Sequence, residues 1–169
     1  DGGLIFGNAS GFVKQDLAPT VSSRMIQVRN GIYWFNGSNA FQGSNGFVTW
    51  DGTTLGDLFA TPNGASSRDF HIVDDNTMIV TTSTGSRGIY KMVKSGGVWT
   101  AAYNLGGTGV NAMVVDGSTI YTTSSAGTAI LKTTDTGSGF DAWTTIATAP
   151  AGYRFRGLEW APAPSVSKK

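Results

Sequence analysis

Arg24, Arg68 and Arg156 stand at matching points of a sequence that repeats itself, each where the chain starts an inner strand. Guanidinium groups gathered at one mouth would recognise an anion through paired, bidentate hydrogen bonds. Asn111 lies near the matching point of the third repeat, and Tyr153 and Arg154 precede Arg156. Arg24, Arg68, Asn111, Tyr153, Arg154 and Arg156 are therefore the candidate ligand-binding residues, with Tyr153 as a flat stacking surface. The competing reading is structural: an arginine at the start of each repeat ties neighbouring repeats together through backbone carbonyls or Asp69.

Catalytic parts are scarce beside these donors. With no cysteine, thiolate metal sites, disulfides and a thiol nucleophile are excluded. His71 is the sole histidine, so neither a multi-histidine metal site nor a serine triad in its Gly-x-Ser-x-Gly context is expected. A glycosidase needs two carboxylates on facing elements. The single Glu is Glu159, beside Trp160, while Asp69, Asp74, Asp75 and Asp116 are read mostly as turn residues. Gly106-Gly107-Thr108-Gly109 is a loop without a following helix to cradle phosphate. The expectation is no catalytic residue, no metal and no cofactor.

Net charge is +1, which gives no global field for nucleic acid or an anionic membrane, and no apolar run is long enough to span a bilayer. Charged residues make up 14%, against about 25% in an ordinary soluble domain, so Asn, Ser, Thr and Gly must keep the surface wet. That bias suits a secreted or cell-surface protein. Asn8-Ala9-Ser10 and Asn36-Gly37-Ser38 fit the N-glycosylation pattern, making Asn8 and Asn36 candidates, although Asn36-Gly37 equally reads as a turn.

The elements that must position the candidate residues follow from the repeat. Arg24-Met25-Ile26-Gln27-Val28 is echoed by Arg68-Asp69-Phe70-His71-Ile72, then by Val110-Asn111-Ala112-Met113-Val114, and finally by Phe155-Arg156-Gly157-Leu158-Glu159, at a spacing of roughly 44 residues. With 24 glycines and abundant Thr, Ser and Val, the chain reads as strands and tight turns. Asn30-Gly31, Asp75-Asn76 and Asp116-Gly117 mark hairpins between the first and second strands of each repeat. Third strands are expected over 47–50, 89–93 and 129–133, and fourth strands over 54–60, 98–105 and 142–147.

Four antiparallel strands per repeat is the unit of a β-propeller blade. The fold class is accordingly all-β, with about four blade equivalents. One domain covers 1–161, with blades near 24–66, 67–108 and 109–152. Residues 1–22 and 153–161 form the closing blade, and 162–169 are a tail. Residues 155–161, patterned as an inner strand, are expected to pair with 3–7. That closes a ring within one chain or completes a larger one with a partner chain or a second copy.

Ile130-Leu131-Lys132-Thr133-Thr134-Asp135-Thr136-Gly137, followed by Trp143, resembles an Asp-box, the bacterial neuraminidase repeat, through Thr133, Asp135, Gly137 and Trp143. Two residues beyond the usual spacing precede the Trp. Ser95-Gly96-Gly97-Val98-Trp99 and Asp51-Gly52 keep parts of the motif. The resemblance implies membership of the superfamily of Asp-box propellers, which includes sialidases, sortilin-type receptors and lectins. It assigns Asp135 to holding its own turn. A sialidase likeness would further imply a triple-arginine clamp, a Tyr nucleophile with a Glu partner and an Asp acid. No Arg-Ile-Pro segment is present, and four blades fall short of the six those enzymes use. The expected function is a non-catalytic recognition or assembly module for a glycan or glycoprotein. A sialidase-like glycoside hydrolase and a structural subunit are the alternatives.

Overall fold

A computed structural model describes residues 4–8, 11–15, 22–41, 44–84 and 86–160. They form β1 (Leu4–Asn8), β2 (Gly11–Gln15), β3 (Ser22–Arg29), β4 (Ile32–Phe41), β5 (Ser44–Trp50), β6 (Leu55–Ala60) and β7 (Ser67–Asp74). There follow β8 (Thr77–Thr82), β9 (Ile89–Ser95), β10 (Val98–Leu105), β11 (Val110–Asp116), β12 (Thr119–Ser124), β13 (Ala129–Thr134) and β14 (Thr144–Thr148). The chain is all-β. Strands β3–β6, β7–β10 and β11–β14 make three four-stranded antiparallel sheets, each in chain order, and β1 pairs with β2 in a two-stranded sheet.

The hairpins explain this simple order. Asn30 (φ 51°) and Gly31 (φ 77°) both take left-handed backbone, as a two-residue type I′ turn requires. Gly96 (φ 56°) and Gly97 (φ 83°) do the same between β9 and β10. The turn between β7 and β8 is built differently: Asp74 Oδ1 accepts the Asn76 N–H at 2.8 Å, and neither Asp75 nor Asn76 has positive φ. Between β11 and β12 the turn falls one residue later than the Asp-Gly signal places it. Asp116 pairs with Thr119, so Gly117-Ser118 are central.

Both faces of the β7–β10 sheet are covered. Phe70, Ile72, Met78, Val80, Tyr90, Met92 and Trp99 pack against Trp34, Phe47 and Phe59 of the first sheet. On the other face, Ile79 and Ile89 pack against Met113 and Ile120 of the third, flanked by Phe140 and Trp143. Trp34, out of phase with Tyr33 and Phe35, is buried edge-on to Trp99 at 5.9 Å. Alternation fails as a guide there because the first sheet buries Phe35 on one face and Trp34 on the other.

Two expectations differ from what the single chain shows. Residues 153–160 form no strand, and β1 pairs only with β2 among the described residues. Each inner strand elsewhere runs into a hairpin turn that supplies its partner, whereas 155–160 run into Ala161-Pro162-Ala163-Pro164, and proline has no N–H for a ladder. Ala161 and the whole of the expected tail (162–169) lie outside the described residues. Asn36 is fully buried, so its amide is not open to glycosylation in the folded chain. The side chain of Asn8 lies outside the described residues.

Candidate functional site

The first strands of the three four-stranded sheets, β3, β7 and β11, which the sequence reads as inner strands, lie next to one another. Each carries a bulge at its start, between Ser23 and Met25, between Ser67 and Phe70, and between Val110 and Met113. In all three a buried side chain on the second strand accepts a bulge N–H. Asn36 Oδ1 accepts from Met25 at 2.9 Å, Thr81 Oγ1 from Asp69 at 2.9 Å, and Thr123 Oγ1 from Ala112 at 3.2 Å. A bulge adds a residue to one strand and re-aims its side chain. The residues so re-aimed are Arg24, Arg68 and Asn111. The register also corrects the repeat alignment: Val110 matches Ser67, so Asn111 is the true counterpart of Arg68.

Arg68, Asn111 and Arg156 line one pocket of about 570 Å³, with Met25, Asp69 and Ser125 among its walls. Arg68 Nε is buried there and has no hydrogen-bond partner among the described residues. Asn111 Nδ2 donates to Ser125 O at 3.1 Å. Arg156 is exposed, on an arm (153–160) without regular secondary structure that is held to the third sheet where Phe155 N–H donates to Gly127 O at 2.7 Å. Trp160 sits edge-on to Tyr121 further along the arm.

The other three candidates lie outside the pocket lining. Arg24 Nη1 donates to Ser67 O at 2.8 Å and to Ser66 Oγ, tying β3 to the second sheet. Burial and the like charge of Arg68 lower its pKa. For Arg24 the structural reading therefore holds. Tyr153 is 72% exposed and Arg154 is exposed on the arm beside it.

Asp69, unlike Asp74 and Asp75 at the hairpin turn, lies buried within β7. Its Oδ1 accepts the Phe70 N–H at 2.7 Å and its Oδ2 the Met113 N–H of β11 at 2.8 Å. Burial pushes its carboxyl up to about 6, against the pull of those two N–H groups, and the negative charge of Glu159 adds to the rise. A counterpart tie joins the first two sheets. The Gln27 amide accepts from Ile72 N–H at 3.1 Å and donates to Phe70 O. The sequence signal for Asp69 was its place directly after Arg68, which the repeat already marked.

The hairpin between β13 and β14 holds the second charged cluster. Asp135 Oδ1 accepts the Gly137 N–H at 2.8 Å within its own turn, and Gly137 has φ 86°. Thr133 Oγ1 donates to Asp141 O at 2.7 Å, and Trp143 Nε1 reaches Gly106 O of the neighbouring sheet at 3.0 Å. Asp135 also leaves its turn: Tyr103 OH donates to Oδ1 at 2.5 Å, and Lys91 Nζ pairs with Oδ2 at 2.8 Å. Burial raises the Asp135 pKa, but the Lys91, Tyr103 and Gly137 hydrogen bonds outweigh it and hold the carboxyl below its usual range. The Asp135 bond lifts the Lys91 ammonium, and burial, then Asp135, lifts the Tyr103 phenol. Neither group is poised as a nucleophile at neutral pH.

His71 is half-buried in β7 opposite Ile79, its pKa lowered by burial and by Arg29. No group of three metal-ligating side chains gathers among the described residues, and no helix there is long and apolar enough to cross a membrane. No protein-family model matches the chain, no curated protein matches it, and no solved structure matches its fold.

Proposed function

We propose that this chain is a propeller-type recognition module that binds a glycan at the pocket formed where the inner strands begin. One observation carries the reading: two consecutive inner-strand bulges aim Arg68 and Asn111 into a cavity that Arg156 also lines, and Arg68 Nε there lacks an acceptor. An unpaired buried donor is costly, and a carboxylate or hydroxyl oxygen arriving with a ligand would satisfy it. Ligands rich in hydroxyls or bearing a carboxylate fit such a lining, and the exposed ring of Tyr153 offers a stacking surface nearby. The propeller reading rests on three like sheets packed face against face through adjacent inner strands. The Asp-box reading rests on the Asp135, Gly137 and Trp143 geometry. The low charge content is what supports reading the protein as secreted or surface-located.

The raised Asp69 carboxyl, with Glu159 acting on it, favours a glycosidase as the second reading. Recognition outranks it because both Asp69 oxygens accept backbone N–H groups, which makes the side chain a tie between strands. A glycan array of neutral and uronate-containing oligosaccharides, followed by titration of Arg68→Ala and Arg156→Ala, tests the reading. Each substitution should weaken binding roughly ten- to a hundredfold with the melting temperature unchanged. Destabilised variants with no ligand on the array would make these arginines ties between sheets. Turnover of nitrophenyl glycosides that Asp69→Asn abolishes would favour the enzyme.

A further inference from the structure

We infer that residues 154–160 are a donor strand that adds, antiparallel, in a second copy of the chain, to the edge of β1 that no strand among the described residues pairs. Two complementary incomplete parts carry the inference. The β1–β2 sheet is two-stranded, whereas each of the other sheets has four strands and begins with an inner strand. The arm over 154–160 has the inner-strand sequence pattern but joins no ladder. An unpaired strand edge is a template for a further strand, and an extended segment supplies its backbone groups in the same way as a bound peptide.

Within its own chain the arm rests on the third sheet, through Phe155 N–H to Gly127 O and Trp160 against Tyr121. Arg154, Arg156, Gly157, Glu159 and Trp160 are exposed along it, so little burial opposes its release. Donation from one copy to the next is heterologous, giving a ring if the rotation closes and a chain of copies if it does not. The inference does not depend on the glycan reading, since it needs only the arm and the β1 edge.

Sedimentation velocity of the full chain over a dilution series tests it, with a synthetic peptide of residues 153–160 as competitor. Backbone N–H groups alternate in direction along a strand, so one of the neighbours 157 and 158 must face β1. The proposal expects masses above one chain that rise with concentration and fall when the peptide is added. Either Gly157→Pro or Leu158→Pro should weaken association on the order of a hundredfold. Gly157 has open space around it, so its substitution removes no packing. A single-chain mass at every concentration, or association indifferent to the peptide and to both prolines, overturns the proposal. So does a single-chain species that Gly157→Pro makes markedly less stable, because the strand would then belong to its own chain.

Discussion

The two faces of the β7–β10 sheet are covered in different proportions of packing and polar bonds. Toward the first sheet the contact is mainly aromatic: Phe47 meets Phe70 edge-on at 5.3 Å, and Phe59 stacks on Trp99 at 5.2 Å, with Arg24, Gln27 and Arg29 adding polar ties along β3. Toward the third sheet the apolar cluster is small, and directional bonds span the gap. They run from Met113 N–H to Asp69, from Thr81 to Asn111 O at 2.7 Å, from Lys91 to Asp135, and from Trp143 to Gly106. Packed rings fill space and have no dependence on protonation, whereas spanning bonds fix orientation and leave room between them. Openings accordingly lie at both ends of the second interface. One is the arginine pocket; the other is a cleft of about 310 Å³ lined by Val73, Ile79, Lys91, Val115, Ile120 and Asp135.

The largest expected effect tests the aromatic interface. Phe70→Ala should cost about 3–5 kcal/mol in denaturant unfolding, equally at acidic and neutral pH. A loss that changes with pH would break the contrast between the two interfaces.

Asp69 should make the second interface pH-dependent. Its folded pKa of about 6 lies above the unfolded value of 3.8, so between those values the folded state binds more protons and stability falls as pH rises. The decline attributable to this one group is about 3 kcal/mol and is complete above pH ~6. Asp69→Asn, followed by thermal melting across pH, should remove that decline. An identical slope in the variant would assign it elsewhere.

Asp135 should act with the opposite sign. Its folded pKa is depressed, so its contribution is present above the unfolded value and is lost as pH falls through the folded one. Asp135→Ala should cost about 1–3 kcal/mol at neutral pH and little in strong acid. The smallest effect is expected for Gln27→Ala, about 1 kcal/mol, because it removes one polar tie from an interface that the aromatic cluster already holds.

Much of this arrangement is legible locally. Asn30-Gly31 specifies its turn through backbone preference alone, and β10 falls on residues 98–105 as the pattern of turns and apolar residues predicts. The bulges are not legible in that way, since each depends on an acceptor that another strand brings alongside: Asn36, Thr81 or Thr123. The match of Asn111 to Arg68 is likewise set by the pairing register of β7 and β11 with their partner strands, which the repeat alone does not fix. Asp135 is recognisable as a turn residue from its neighbours. Its partners Lys91 and Tyr103 come from the preceding sheet, and nothing in the local sequence announces them. Residues 155–160 show the converse, a strand pattern without a strand, because a pattern fixes which faces are apolar but cannot supply a ladder partner.

The role of the arginine pocket is tested most directly by calorimetric titration of oligogalacturonate into the full chain, Arg68→Ala and Asp135→Ala, at low and high salt. The account predicts binding by the full chain and by Asp135→Ala. Arg68→Ala should bind roughly ten- to a hundredfold more weakly, with a smaller difference at high salt. Equal affinity in the full chain and Arg68→Ala, with binding lost in Asp135→Ala, would contradict it and move recognition to the cleft at the other end of the interface.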